Sequence, residues 1–309
     1  MRELFTVDES VTFCKALSSK LRVAMLQYIY KNKDTGLNDL AEQFSVSRAA
    51  VTQNIKILID ADMVDLKSVS GKRGLRKVCF IKENKFVITL GNHFDSENMY
   101  QTEMPIGQYT DYQIYPTCGI ATTQALIGVV DDPRYFDAPS RTDAGILWMR
   151  KGSVEYRLPN YLEENQYPTE IQISMELSSE APGISEKWPS DIFFYFNDKK
   201  LGFWTSPGDF GDVRGMYTPD WWFANWNQYG LLKLLSINEQ GTFIDGLMIS
   251  TVTIDELKLN YKSDFKLKLA VPDEAANIGG MTIFGKGFGN YNQDIKVRVI
   301  YKAVGEETN

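Results

Sequence analysis

Residues 204–230, WTSPGDFGDVRGMYTPDWWFANWNQYG, hold four of the chain's six tryptophans, with three aspartates and one arginine among them. Indoles of this kind stack on the C–H faces of sugar rings, while Asp, Asn and Arg side chains take hydroxyls. Ligand pockets in general combine apolar walls with a few placed polar groups. On that chemistry Trp204, Trp221, Trp222, Trp226 and Tyr229 are candidate walls, and Asp209, Arg214, Asn225 and Gln228 candidate polar contacts. Trp188, in EAPGISEKWPSD, is a second candidate lip. The competing reading is a loop folded over a core, its large indoles buried for stability.

Other chemistry finds less support. His93 is the single histidine, which leaves no partner for a serine or cysteine nucleophile. Beside Asp95 and Glu97 it could ligate a metal, but a lone histidine in a polar segment is more often solvated. The glycine-rich IGGMTIFGKGFGNYNQD has no Walker sequence and no strand–helix order for a dinucleotide. A carboxylate pair for glycoside cleavage could come from Glu176, Glu180, Asp209, Asp212 or Asp220. Aspartates beside glycine are, however, usual turn formers. No catalytic residue, metal or cofactor is therefore expected.

The 309 residues suggest two domains. Residues 1–90 carry 15 Lys/Arg against 10 Asp/Glu, and the remainder 18 against 30, so a basic segment precedes a strongly acidic one. Nucleic acid suits the first; the second would repel phosphate. Three scattered cysteines make no disulfide framework, no apolar run is long enough for a membrane span, and the first residues lack a signal-peptide core. A cytoplasmic location is the expectation.

The elements that must position such groups follow from periodicity. Val11, Cys14 and Leu17 suggest the apolar face of a first helix. Leu21, Met25 and Ile29, widened by Val23, Leu26 and Tyr30, suggest a second, with a serine of the pair 18–19 as its cap. LNDLAEQF is a short third helix. SVSRAAVTQNIKILIDADMV is a fourth, capped by Ser47, with Val51, Ile55, Leu58 and Ile59 inward. Its other face carries Arg48, Thr52, Gln53 and Lys56, with Asn54 nearby. A short helix, a tight turn and a longer helix with a polar early face make a helix-turn-helix, whose side chains match base-edge donors and acceptors in a major groove. VDLKSVSGKRGLRKVCFIKE then reads as two strands around a basic tip of Lys72, Arg73, Arg76 and Lys77, a wing suited to phosphates.

This segment resembles the winged helix-turn-helix of ArsR-type bacterial transcriptional regulators over roughly residues 5–85. ALSSKLRVAML matches the family's entry to the second helix, with Arg22 in its arginine position. LNDLAEQFSVSRAAVTQNIKILIDADMV matches its helix-turn-helix, and SGKRGLRKVCF its wing. Thr52, Asn54 and Asp62 depart from the family's frequent Ser, His and Gly. The third helix also lacks the cysteines through which many members sense metal. The resemblance implies a homodimer on a near-palindromic double-stranded DNA operator.

Residues 91–103 read as a polar connector. From residue 104 to 309, short alternating runs replace amphipathic helices, among them QALIGVV, TEIQISMEL, GLLKLLSI, DFKLKLAV and DIKVRVIYKA. ILWMRKGSVEYRL reads as a hairpin turning at Lys151-Gly152, and FFYFNDKKLGFW as one turning at Asn197-Asp198. The fold class expected is multidomain α+β: a winged helix-turn-helix at 1–90, then a β-sandwich or jelly-roll-like effector-binding or dimerisation domain at 104–309. The function expected is a DNA-binding regulator sensing a small molecule, with a sugar as the first candidate. Its rivals are a carbohydrate-active enzyme carrying a regulatory winged helix and a β domain that only docks proteins.

Overall fold

A computed structural model describes residues 2–4, 7–32, 35–71, 74–82, 86–88 and 98–303. The chain forms two compact units, Met1–Asp95 and Ser96–Asn309.

In the first unit β1 (Arg2–Leu4) precedes α1 (Val7–Leu17), α2 (Lys20–Lys31), β2 (Thr35–Gly36), α3 (Leu37–Gln43) and α4 (Arg48–Asp60). The hairpin β3 (Val64–Gly71) and β4 (Gly74–Ile81) follows, then β5 (Phe86–Ile88), which pairs parallel to β1. β4 lies between β3 and β2. Met25, Ile29, Leu40, Val51, Ile55 and Leu58 meet in the core, as helical spacing predicts. On α1 the expected stripe is displaced. Phe13 and Ala16 are buried, whereas Val11 and Cys14 are exposed. Both i,i+3 series fit one helix, and the larger aromatic is the one that reaches Phe86, at 4.5 Å between ring centroids. Tyr30 also faces outward, and Tyr28 instead meets Phe44 edge-on at 5.9 Å.

In the second unit β6 (Met99–Met104) and β7 (Asp111–Ala121) lead through two 3-10 turns to the long strands β8 (Ile146–Leu158) and β9 (Gln166–Ser178). Then come β10 (Ser190–Phe196), β11 (Lys199–Ser206), β12 (Leu231–Asn238), β13 (Gly241–Ile244), β14 (Leu247–Ser250), β15 (Phe265–Val271), β16 (Met281–Phe284) and β17 (Ile295–Ala303). Strand spacing suggests a sandwich; hydrogen bonding joins the twelve strands of the described residues in one antiparallel sheet. β8 pairs with β7 on one side and with β15 and β16 on the other, while β9 takes β12 on one side and β16 and β17 on the other. The end strands β11 and β14 approach so closely that a Cβ on Gly202 would lie 3.0 Å from the Ile249 carbonyl oxygen. The sheet is thus nearly closed and barrel-like, which covers backbone edges that would otherwise pair with other chains.

Three local expectations change. The strand Met99–Met104, all but its last residue assigned to the connector, pairs with β17. ILWMRKGSVEYRL is one continuous strand rather than a hairpin. Gly152 passes through it at φ +123, and a side chain there would strike the Gln113 carbonyl oxygen. QALIGVV contributes an isolated bridge, Ala121 to Leu126, in place of a strand. The Asn197-Asp198 turn stands, with both residues at positive φ as a tight hairpin requires. Phe265, Leu267, Leu269, Ile295, Val297 and Val299 alternate inward into the core.

Candidate functional site

The recognition-type helix α4 begins where its sequence requires. Ser47 has extended backbone, and its Oγ accepts from the Ala50 N–H at 3.2 Å. The turn from α3 closes through the Phe44 N–H to Leu40 and the Val46 N–H to Ala41, with Ser45 in the left-handed region. Val51, Ile55 and Leu58 anchor one side of α4. Arg48, Thr52, Gln53 and Lys56 are exposed on the other, and residues 48–59 contain no carboxylate.

Asn54 departs from that set. It is half-buried, donates to the Ala50 carbonyl at 2.8 Å and accepts from Arg22 at 3.4 Å. Arg22 also donates to the carbonyls of Ala16 (2.6 Å) and Lys15 (2.8 Å) at the end of α1. Asn54 and Arg22 therefore lock α4 to the α1–α2 corner. Of the four basic residues of the hairpin tip, Lys77 and Arg76 are exposed, and Arg76 lies 3.6 Å from Asp39. Lys72 and Arg73 lie outside the described residues.

The tryptophan-rich stretch divides between core and pocket. Trp222, 1 % exposed, sits edge-on to Trp148, Trp221, Trp226 and Phe288, and its Nε1 donates to the Asn227 carbonyl at 2.8 Å. Its enclosure makes it packing rather than a ligand wall. Trp221 is partly buried and donates to the Thr123 carbonyl at 2.7 Å. Arg214 and Gln228 brace the loop from within: Arg214 donates to the carbonyls of Pro219 and Trp222, and Gln228 to those of Phe223 and Trp226. Tyr229 stacks on Phe210 and donates to Asp212 at 2.6 Å. Trp204 lies beneath the Lys233 ammonium, 4.5 Å from the ring centroid. Asn225 and Trp188 are exposed and outside the pocket described next.

That pocket, of about 150 Å³, gathers Trp226 and Asp209 with groups the stretch alone does not reveal: Trp148, Glu180, Asn227 and, at its mouth, Asp131. Trp148 reads in sequence only as a strand residue, and Asn227 carries no local signal. Glu180 accepts from Asn227 at 3.1 Å and from Thr282 at 3.3 Å. Burial raises its carboxyl well above the ordinary range, and the neighbouring Asp209 and Asp131 charges raise it further. Asp209 is 1 % exposed; its Oδ2 accepts from the Ala181 N–H at 3.1 Å, and burial pushes it up to about 7. Glu176, also weighed as a catalytic carboxylate, lies apart from the pocket and holds loops. It accepts from the backbone of Gly230, Asn290 and Tyr291 at 2.8–2.9 Å, and full burial still pushes it up to about 8.

Among the described residues no group of three or more His, Cys, Asp and Glu could hold a metal, and no helix is long and apolar enough to cross a membrane. His93, Asp95 and Glu97 lie outside the described residues. Burial raises the thiols of Cys79, to about 11, and Cys118, to about 12.

No curated protein matches the chain. Residues 22–76, from α2 into β4, match the family model of an HTH domain. Together with the capped, exposed α4, this identifies the first unit as a helix-turn-helix DNA-binding domain.

Proposed function

We propose that the chain is a transcriptional regulator of the ArsR type, binding double-stranded DNA as a homodimer, with a β unit that holds a small effector and catalyses no reaction. The observation that carries the DNA reading is the exposed, carboxylate-free row of Arg48, Thr52, Gln53 and Lys56 on α4. Such a row suits base edges, and the β3–β4 hairpin serves as the wing, with Lys77 toward phosphate. Val11 and Cys14, left exposed on α1, supply an apolar strip for the partner copy. The pocket of Trp148, Trp226, Glu180 and Asp209 supports the effector reading. Glycoside cleavage needs one neutral and one ionised carboxyl across the bond. Burial raises both Glu180 and Asp209, which favours binding over turnover.

Fluorescence anisotropy with labelled duplexes at stepped salt tests the DNA reading. Removing one lysine that neutralises a phosphate should lower the slope of log K against log salt by about one, so Lys56→Ala and Lys77→Ala should each flatten it. Unchanged slopes for both would defeat the assignment of α4 and the hairpin as the DNA face.

A further inference from the structure

We infer that the pocket lined by Trp148 and Trp226 is a receptor for a small organic ammonium ion, such as a methylated ammonium or the terminal amine of a longer molecule. This rests on the effector reading of the β unit and names the ligand class.

The walls are built, not incidental. The two indoles pack edge to face on each other, 5.7 Å between centroids at 62°, and form one wall. Asp131 accepts from the Cys118 N–H at 2.8 Å, and its own N–H donates to the Cys118 carbonyl at 2.7 Å, which pins the mouth. The floor is held by the Ser179 N–H to Gly208, the Glu180 N–H to Gly279 and the Asp209 N–H to Ser185, at 2.8–3.0 Å. Asp209 is nearly wholly buried, yet its Oδ1 has no hydrogen-bond partner among the described residues.

The charge of the lining selects the ligand. Asp131, Glu180 and Asp209 line the pocket, and among the described residues no Lys, Arg or His does. A neutral sugar offers these carboxyls hydrogen bonds but no counter-charge, whereas a cation pairs with them directly. Indole faces attract an ammonium through their quadrupole, most strongly where water is excluded. The small volume suits a few heavy atoms; drug-sized ligands take roughly 300 Å³ or more. Because burial favours the protonated carboxyls, a bound cation would displace those protons and take their place.

The test is titration of the full-length chain with tetramethylammonium chloride, followed by tryptophan emission and calorimetry against equal sodium chloride. Methylammonium, the neutral isostere tert-butanol and glucose are run in parallel. Saturable binding of at least one ammonium, at least tenfold tighter than tert-butanol or glucose, is expected. Asp209→Asn should weaken it at least tenfold. Should that variant fail to fold, Asp131→Asn, which keeps the acceptor for Cys118, should weaken it several-fold. Trp226→Phe should weaken it several-fold as well. No saturable ammonium binding, equal binding of tert-butanol, or wild-type affinity in both charge variants would overturn the inference. Glucose binding alone would overturn the ammonium and leave the effector reading standing. Loss of DNA binding would bear on the regulator and not on the pocket.

Discussion

Asp209 and Glu176 each hold a carboxyl inside the protein, and their protons set how the fold responds to pH. Asp209 is raised from 3.8 to about 7 and Glu176 from 4.5 to about 8, in both cases chiefly by burial. Between the unfolded and folded values the native state keeps a proton that the unfolded chain has released. Stability therefore falls as pH rises through that window, and the loss is complete only above the folded values. The second unit should be more resistant to urea near pH 5 than near pH 8. Asp209→Asn removes one contribution while Glu176 and Glu180, also raised by burial, keep theirs, so its urea midpoint should decline less steeply between those limits. Midpoints read from tryptophan emission at stepped pH decide this, and an unaltered decline would mean that Asp209 does not titrate with unfolding. Glu176→Gln keeps the shape but leaves one amide nitrogen facing backbone N–H donors. A loss of roughly 1–3 kcal/mol, measured by the same emission, is the expected cost of the mismatched buried group.

The helix α4 separates two residues that its sequence presents side by side. Gln53 is exposed, whereas Asn54 is hydrogen-bonded to Arg22 and Ala50. Gln53→Ala should change the ranking of duplex sequences in anisotropy titrations and leave the helix-reported melting midpoint in place. Asn54→Ala should lower that midpoint, by about 1 kcal/mol of stability, because the tie to the α1–α2 corner is gone. The opposite pattern would exchange their roles. The stripes of α2, α3 and α4 were legible in the sequence because a 3.6-residue period has one solution when large apolar residues recur every third or fourth place. On α1 two such series compete, and only packing against Phe86 chooses Phe13 over Val11. Alternation likewise marks β15 and β17, while Gly152 looks like a turn and instead lets β8 run close under β7. The pocket was legible through Trp226, Asp209 and, as a candidate carboxylate, Glu180. Asp131, Trp148, Glu180 and Asn227 come from separate stretches of chain, and pairing of β7, β8 and β9 through the sheet, which no local pattern encodes, brings them together.

Across the whole chain the two units carry opposite charge and different optical signals. Among the described residues the four α-helices lie within residues 7–60, and all six tryptophans of the sequence lie between residues 148 and 226. Far-UV ellipticity at the helix band therefore follows the DNA-binding unit, and tryptophan emission the β unit. Two compact units with separate cores are expected to melt separately, so the two signals should give non-coincident transitions. A ligand that binds one folded unit raises the transition of that unit. Duplex DNA at low salt should raise the ellipticity midpoint, and tetramethylammonium the emission midpoint. A sensor requires more than this, because its ligand must bind the DNA-competent and incompetent states with different affinity. The factor by which tetramethylammonium changes DNA affinity must then equal the factor by which DNA changes ammonium affinity. Measuring both by anisotropy and calorimetry at one salt concentration closes the cycle. Equal factors different from one would make the β unit the sensor of the DNA-binding domain, and a factor of one in both directions would leave it a binding module without control over DNA.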